Sequence, residues 1–414
     1  MRNIINFFWI AIILAGCSIE ERPKNLITTP SGEKWLEELK SQLDKNLPNN
    51  YELLTPESNK EKQMIWLFNS EEGKKKKAVL LYKNPNEDCK VHLSIYHQVN
   101  GIWEDMEDQI LTGVKVDVLE IGNFTGNQKK EILIGISSED ENTKNTMHVF
   151  SVENSDLKEI YKQNYTKLFV EDLNQNGIKD ISLVTYQKDQ YLKVNFMEKF
   201  NKLSEISFDP NINGIAKVQL GNISKRSKGI VIDSGFGAHS GITYVANFIE
   251  NQFKKIYKDD ENPLTAESLV ESKDVNKDGI IEFPNTFEPK GWEEQPHSNR
   301  PLFERYLQWE GNDFIPIEER YVNVENGYYI EIPKDLIGKI TLENNKTKNI
   351  QRLLNTDTNE TWLQIYTFNP KIDVDTKKFQ KLLKNTSRII AVPNQSKYKK
   401  WTSNIKPLSE YQQD

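Results

Sequence analysis

The chain has 414 residues, of which 28% are charged and 37% hydrophobic, and its formal net charge is −7 at pH 7. This length indicates two or three domains or one repetitive domain, and 18 Phe, 16 Tyr and 8 Trp supply enough bulk for packed cores. The acidic balance argues against a nucleic-acid-binding protein, which needs a concentrated basic face, and two cysteines are too few for a disulfide framework.

The first seventeen residues have the pattern of an export signal. A short basic segment, residues 1–3, is followed by residues 4–15, which are apolar apart from one asparagine. This run is shorter than the roughly 20 apolar residues of a membrane-spanning helix. It ends in Leu-Ala-Gly-Cys at residues 14–17, and polar residues follow at once.

This ending resembles the lipobox of bacterial lipoprotein signal peptides. The resemblance implies cleavage before Cys17 and attachment of a lipid to the Cys17 thiol. The mature protein would then be held at the extracytoplasmic face of a bacterial cell membrane. An ordinary signal peptide or a simple membrane anchor with an incidental cysteine is the alternative.

Residues 18–50 are predicted to form a polar tether followed by a short helix. Residues 19–32 contain two prolines and show no periodicity, which is typical of a linker. Residues 33–47 instead carry apolar side chains at helical spacing, namely Trp35, Leu36, Leu39 and Leu43. Beyond this helix the pattern becomes β-like for most of the chain.

A repeat of about fifty residues occupies the middle of the chain. Four similar segments begin at Asn123, Asp172, Asn222 and Asp274, so successive starts are 49, 50 and 52 residues apart. Short β-type runs lie between them, and about four strands per repeat is what one blade of a β-propeller needs. We therefore predict a mainly β chain with a β-propeller-like domain over residues 51–290, of about five blades with the number left open.

Two of the four segments place oxygen-bearing side chains at the spacing of a calcium loop. Residues 172–180 have Asp, Asn, Asn and Asp at loop positions 1, 3, 5 and 9, and residues 274–282 have Asp, Asn, Asp and Glu there. Calcium takes six to eight oxygen ligands, and the glycine at position 6 of both loops allows a sharp turn. With the carbonyl of position 7, the predicted ligands are Asp172, Asn174, Asn176, Ile178, Asp180, Asp274, Asn276, Asp278, Ile280 and Glu282.

This spacing resembles the calcium loops of FG-GAP/VCBS repeats, which are the blades of integrin-α-type β-propellers. The resemblance covers about residues 60–290 and implies that calcium joins one strand to the next within a blade. The other two segments depart from the pattern, because Gln128 replaces the glycine in the first and no acidic residue ends the second. Whether the segments at Asn123 and Asn222 bind ions is left open. A plain Asx-rich turn without an ion is the alternative for the better loops.

The C-terminal third is predicted to contain a linker and a small domain. Residues 291–320 are assigned to a linker and hairpin, residues 321–400 to a small α+β domain, and residues 401–414 to a polar tail. A helix is predicted for residues 375–384, because their three apolar residues fall on one side. The hairpin sequence here resembles that of uncharacterised lipoproteins of Gram-positive bacteria, which implies no activity.

The best candidate for catalysis is the glycine-rich segment 233–241, where Asp233, His239 and Ser240 lie close in sequence. A nucleophile elbow needs G-x-S-x-G on a strand-to-helix turn, but the residues two before and two after Ser240 are not glycine. A glycine-rich turn between two strands of a blade is the favoured interpretation.

Two functions follow from these features. The first is a lipid-anchored extracytoplasmic binding or scaffold protein, stabilised by calcium, that presents its loops to an unknown protein or cell-envelope ligand. The alternative is a cell-envelope hydrolase that uses the glycine-rich rim around His239. Fold alone does not choose between them.

Overall fold

The computed structural model describes residues 34–59, 61–69, 76–127, 129–138, 144–153, 156–238, 240–258, 261–296, 299–345 and 349–411. The predicted export signal, Cys17 and His239 lie outside these ranges. The described residues form six antiparallel sheets and only short helices, which confirms the prediction of a mainly β, β-propeller-like chain. None of the helices within these ranges is long and apolar enough to cross a bilayer.

The chain divides into two compact units, and the first comprises Met1–Val116, Ile136–Glu139 and Glu153–Leu157. Its described part begins with helix α1, Lys34–Asn46, which covers the segment where apolar spacing predicts a helix. Five strands follow, namely β1 Glu52–Leu53, β2 Ile65–Asn69, β3 Lys76–Lys83, β4 Lys90–Val99 and β5 Ile102–Thr112. They form one sheet of order β1-β3-β4-β5, in which β2 also pairs with β3.

The helix packs on this sheet through one apolar side. Leu39 and Leu43 are buried against Tyr82 and Trp103, as the 3.6-residue period requires of an amphipathic helix. The indole nitrogen of Trp103 donates a hydrogen bond to the Trp35 carbonyl at 3.1 Å. This contact satisfies the polar atom of a side chain that is otherwise fully buried.

Three sheets follow, and each contains four strands that pair in chain order. The first contains β6 Lys115–Gly122, β7 Glu131–Ser137, β8 Asn145–Glu153 and β9 Asp156–Tyr165. The second contains β10 Lys167–Glu171, β11 Asp180–Gln187, β12 Tyr191–Glu198 and β13 Asn201–Phe208. The third contains β14 Gly214–Ser224, β15 Ser227–Phe236, β16 Ser240–Ile249 and β17 Gln252–Lys255. The short strand β18, Thr265–Ala266, is added to this sheet by pairing with β16.

Tight turns join the strands of these meanders. Lys199 and Phe200 have φ of 51° and 61° between β12 and β13, and Glu250 and Asn251 have φ of 50° and 60° between β16 and β17. Two successive residues in the left-handed backbone conformation form a two-residue hairpin turn, whose twist matches that of the two antiparallel strands it joins. Each sheet is therefore an up-and-down meander, the chain order of a propeller blade.

Two further sheets complete the fold. The fifth contains β19 Phe283–Phe287, β20 Leu302–Trp309, β21 Phe314–Asn323 and β22 Tyr328–Ile332. The sixth contains β23 Ile340–Asn345, β24 Ile350–Asn355, β25 Thr361–Phe368, β26 Phe379–Lys384 and β27 Ile389–Pro393. After the four-residue helix α2, Ser396–Lys399, strand β28, Ile405–Pro407, returns to pair with β22, and helix α3, Leu408–Tyr411, follows.

The second unit comprises Asp117–Gly135, Asp140–Val152 and Lys158–Asp414, and its successive sheets share hydrophobic cores. Leu133 and Leu183 lie in one core between the sheets of β6–β9 and β10–β13. Val194 and Ile232 lie in the next core. Similar clusters join the sheet of β14–β18 to the sheet of β19–β22, and that sheet to the sheet of β23–β27. Six successive residues of β7 are buried. Because successive side chains of a strand point to opposite faces of the sheet, this strand is buried on both faces.

The helix predicted for residues 375–384 is wrong, because Phe379–Lys384 forms the edge strand β26. Short apolar runs do not distinguish helix from strand by their period, and here pairing with β27 decides. A register shift between Lys381 and Leu383 breaks the simple alternation of a strand. The helical residues of the described part of 321–400 are Lys334–Leu336 and Ser396–Lys399.

Candidate metal centre

The two predicted calcium loops occupy equivalent places in their sheets. Residues 172–180 connect β10 to β11, and the antiparallel pair Glu171 and Asp180 closes the loop. Residues 274–282 are closed in the same way by the bridge between Lys273 and Glu282, directly before β19. Each loop therefore joins two antiparallel segments at the edge of a sheet.

The backbone of both loops has the same two left-handed positions. Loop position 4 has φ of 60° at Gln175 and 62° at Lys277, and loop position 6 has φ of 82° at Gly177 and 85° at Gly279. Glycine adopts such angles without the strain that a Cβ would cause. The glycines at position 6 are therefore required by the turn.

The first aspartate of each loop holds the turn together. The Asp172 carboxylate accepts hydrogen bonds from the backbone N–H groups of Asn176 at 3.1 Å and Gly177 at 2.8 Å. Asp274 accepts the equivalent pair from the N–H groups at loop positions 5 and 6, at 3.0 and 2.8 Å. An ionised carboxylate offers about four lone-pair positions, so each aspartate keeps acceptor capacity for a cation.

Three carboxylates converge in the loop of residues 274–282. Asp274, Asp278 and Glu282 each place a carboxylate oxygen within 4.8 Å of the others, and this group could hold a metal ion. Glu282 is fully buried. Gln308 on β20 donates its Nε2 to Asp278 at 3.1 Å and to Glu282 at 3.0 Å, which fixes two of the three acids.

The electrostatics of this group favour a cation. Burial, followed by the charges of Asp278 and Asp274, raises the pKa of Glu282 to about 7. Hydrogen bonds from the Val275 N–H and from Gln308 act in the opposite direction. A divalent cation among the three carboxylates would replace their mutual repulsion with attraction.

The loop of residues 172–180 contains a buried carboxylate oxygen without a partner. Asp180 is fully buried, and its Oδ2 accepts a hydrogen bond from the Leu173 N–H at 2.9 Å. Its Oδ1 has no hydrogen-bond partner within the described ranges. Burial, followed by the charges of Glu198 and Asp172, raises the pKa of Asp180 to about 6. Leaving such an oxygen unpaired is costly, so the donor set fits a bound cation.

The segment at Asn123 is saturated by its own hydrogen bonds. Glu131, at its end, accepts from the Phe124 N–H at 2.7 Å and from the Thr125 hydroxyl at 2.6 Å. Both carboxylate oxygens of Glu131 therefore have a donor, in contrast to Asp180. Gln128, which replaces the glycine, lies outside the described residues.

The segment at Asn222 forms a hairpin that supports a neighbouring loop. Ser224 pairs with Ser227, so β14 and β15 are joined by a short turn. Asn222 donates its Nδ2 to the Gly279 carbonyl at 3.0 Å and accepts from the Ile281 N–H at 2.8 Å. This copy of the repeat thus holds the 274–282 loop in place.

The structure does not bring Asp233 and Ser240 together. Asp233 lies opposite Thr243, while Ser240 pairs with Phe236 at the hairpin end. The buried Asp233 carboxylate accepts from the Thr243 hydroxyl at 2.8 Å and from the Ser272 N–H and hydroxyl at 2.8 and 2.7 Å. Burial raises its pKa. Asp233 thus ties a later segment to the sheet, and no described residue here favours the hydrolase alternative.

Sequence reasoning missed two residues that contact the loops, Glu198 and Gln308. Ile181 pairs with Met197 and Phe283 with Leu307, so Glu198 and Gln308 follow at equivalent positions on the neighbouring strands. They lie 18 and 26 residues beyond the ends of their loops. This unequal separation hides their equivalence in the sequence.

Comparisons with known proteins assign no family. No protein-family model matches the chain, and no curated protein does. Among solved structures, it is similar to a candidate 6-phosphogluconolactonase from Bacteroides uniformis, with 13% identity, 71% of this chain and 82% of that chain covered, and a TM-score of 0.30. A GH43 β-1,3-galactosidase gives 9% identity, 75% and 79% coverage, and a TM-score of 0.26. Similarities at these scores carry no conclusion about activity.

Proposed function

We propose that the protein is a lipid-anchored extracytoplasmic binding or scaffold protein, built on a calcium-stabilised β-propeller of the FG-GAP/VCBS type. The observation that carries this proposal is the convergence of Asp274, Asp278 and Glu282 in a loop that links two antiparallel segments. A structural cation in such a loop would stiffen the rim of the sheet and the surface that it presents.

The donor set favours calcium over other common metal ions. The loop offers carboxylate, carboxamide and backbone oxygens and contains neither histidine nor cysteine, the ligands that zinc prefers. Magnesium demands a near-ideal octahedron and retains several waters, whereas calcium accepts six to eight oxygens in flexible geometry. A nine-residue loop with several oxygen side chains therefore suits calcium best.

The binding role has a direct test on isolated cell envelopes. We expect a labelled chain that starts at residue 18 to bind saturably to bacterial envelopes, without turnover of the envelope material. Binding should weaken when calcium is chelated, because the loops at the rim would lose their shape. A non-saturable signal, or turnover that accompanies binding, would speak for a different function.

The lipid anchor is tested by exchange of one cysteine. In a Gram-positive host, we expect the wild-type protein in the membrane fraction and Cys17→Ser largely in the medium, because the lipid is attached through the Cys17 thiol. Cys89→Ser is the matched control, since Cys89 is exposed and lies outside the export signal, and it should remain membrane-bound. A Cys17→Ser protein that stays fully in the membrane fraction would count against the anchor.

A further inference from the structure

A concentrated basic segment lies near the C-terminus of this acidic chain. Residues 376–409 contain eight lysines and one arginine but neither aspartate nor glutamate, whereas the whole chain has a net charge of −7. Six of these lysines fall in two short stretches, residues 377–381 and residues 397–400. All six are exposed. A surface with a concentration of one charge attracts ligands of the opposite charge.

The fold brings the two basic stretches side by side. The first stretch leads into the edge strand β26, where Phe379 pairs with Pro393 on β27. Directly after β27, the Asn394 N–H donates a hydrogen bond to the Lys378 carbonyl at 2.8 Å. Helix α2 then begins at Ser396 and carries the second stretch. Lysines that are about twenty residues apart in the sequence therefore belong to one surface.

An open groove of about 560 Å³ lies between the two stretches. Lys381 from β26 and Lys399 from α2 both line it, together with the ring of Phe379. Four neutral side chains that can form hydrogen bonds complete the lining, namely Thr376, Gln380, Asn394 and Thr402. No carboxylate is among the described residues that line the groove.

The groove keeps its positive charge in spite of two acids that precede β26. The Lys381 ammonium lies 3.5 Å from Asp373, and the Lys378 ammonium lies 3.8 Å from Asp375. The Asp373 side chain is fully exposed, and exposed pairs of this kind are weak and screened by salt. An anionic ligand in the groove can therefore compete with these acids for the lysines.

The Phe379 ring is fixed in place by two other aromatic rings. Its centre lies 4.8 Å from that of Tyr366 and 5.2 Å from that of Phe368, both in edge-to-face geometry. Phe379 is only half-buried, so part of its ring faces the groove. A ring that is already held in one orientation can pack against the C–H face of a sugar ring at little further cost in conformational entropy.

We propose that this groove binds an acidic polysaccharide, a polymer of hydroxylated sugar rings that bear carboxylates. The two lysines pair with the carboxylates, the four neutral side chains bond to sugar hydroxyls, and Phe379 packs against one sugar ring. Phe379 is the one aromatic side chain among the described residues of the lining, whereas sites for single-stranded nucleic acid stack successive bases on several rings. The site goes beyond the proposed function, because the groove contains no residue of the 172–180 or 274–282 loop.

The test compares three polymers on the chain that starts at residue 18, in the presence of a calcium chelator. Carboxymethyl-dextran has sugar rings and carboxylates, dextran has the sugar rings alone, and poly-L-glutamate has the carboxylates alone. The chelator prevents calcium from bridging carboxylates to the two loops. We expect carboxymethyl-dextran to bind saturably in calorimetry and more tightly than either of the others. Added salt should weaken its binding, because salt screens the lysines.

A double variant tests the groove itself. We expect Lys381→Gln/Lys399→Gln to weaken the binding of carboxymethyl-dextran about tenfold or more, because both charges of the groove are lost. The matched control is Lys188→Gln/Lys384→Gln, which removes the same charge and should bind as the wild type does. Lys188 is exposed between β11 and β12, and Lys384 is exposed on β26 but does not line the groove. Melting curves establish that each variant is folded.

A third variant tests the contact with the sugar ring. Phe379→Leu keeps an apolar side chain and removes the aromatic ring. It should weaken the binding of carboxymethyl-dextran severalfold and leave that of poly-L-glutamate unchanged.

Several results would overturn the inference. Equal losses in the two double variants would mean that the groove is not the binding site. Equal affinity for poly-L-glutamate and carboxymethyl-dextran would mean that no sugar is recognised. Tighter binding of single-stranded DNA, or of vesicles that contain phosphatidylglycerol, would assign the basic surface to a different partner. Absence of binding to carboxymethyl-dextran would also refute the proposal, while the calcium response of the loops would be unaffected.

Discussion

Calcium is expected to raise the melting temperature of the protein through the 172–180 and 274–282 loops. A ligand that binds the folded but not the unfolded chain stabilises it by about 4 kcal/mol when its free concentration is a thousand times its dissociation constant. The convergence of Asp274, Asp278 and Glu282 exists only in the folded chain, so it meets this condition. Calorimetry and thermal melting of residues 18–414 across a calcium series measure the effect.

Single alanine substitutions should remove this stabilisation one loop at a time. Asp274→Ala and Asp172→Ala each delete the first carboxylate of a loop, and the double variant should show no response to calcium. Each of these aspartates also holds its turn through two backbone N–H groups, so the variants are compared by the shift that calcium causes and not by the absolute melting temperature.

The segment at Asn123 provides the control for this experiment. Asn123→Ala alters a loop of the same repeat whose final carboxylate, Glu131, already has two donors, and the calcium response should not change. A wild-type protein that releases no heat and shows no shift would mean that the two loops are plain Asx-rich turns.

Replacement of Arg320 by alanine is expected to be the most destabilising single substitution considered for this chain. Arg320 is 1% exposed, and its guanidinium lies 5.2–5.5 Å from the ring centres of Tyr306, Tyr329 and Tyr411. It forms an ion pair with Glu318. Removing one partner of a buried pair leaves an uncompensated charge, which costs about 3–5 kcal/mol.

Urea unfolding of Arg320→Ala measures this loss, and Arg352→Ala is the matched control. Arg352 forms a half-exposed ion pair with Glu343 at 3.0 Å, and such pairs contribute less than about 1 kcal/mol. Equal unfolding free energies for the two variants would show that the contacts of Arg320 with Glu318 and the three tyrosines do not stabilise the fold as its burial indicates.

The stability lost in Arg320→Ala should grow as the pH rises. Burial raises the pKa of both Glu304 and Glu318, while the charge of Arg320 lowers them. A carboxyl group whose pKa is higher in the folded state stabilises the fold while protonated, and this contribution is lost as the pH rises through the folded pKa. Without Arg320 both pKa values rise further. We therefore expect the stability lost in Arg320→Ala to be larger at alkaline than at acidic pH. A loss that is independent of pH would show that Arg320 does not stabilise the ionised forms of Glu304 and Glu318.

Local patterns in the chain were sufficient to predict the class of the fold and the form of its loops. Short stretches of the sequence either alternate apolar and polar residues or are continuously apolar, as in β-strands. Similar turn segments recur about every fifty residues, so the sequence predicts mainly β meanders. The loop ligands are also local, because positions 1, 3, 5 and 9 lie within nine residues and Gly177 and Gly279 mark the turn. The helix predicted for residues 375–384 is wrong, because the local pattern there fits a helix and a strand equally, and pairing with β27 makes residues 379–384 a strand.

By itself, the sequence therefore determined the repeat, the β class and the side chains within each loop, all of which depend on neighbours a few residues apart. Only the tertiary structure placed Glu198 and Gln308 against the two loops and surrounded Arg320 with three tyrosines. These contacts depend on strand register across connections of different length, and Tyr411 reaches Arg320 from ninety-one residues further along the chain. Register is set by packing over whole sheets, so no pattern within a short window of sequence contains it.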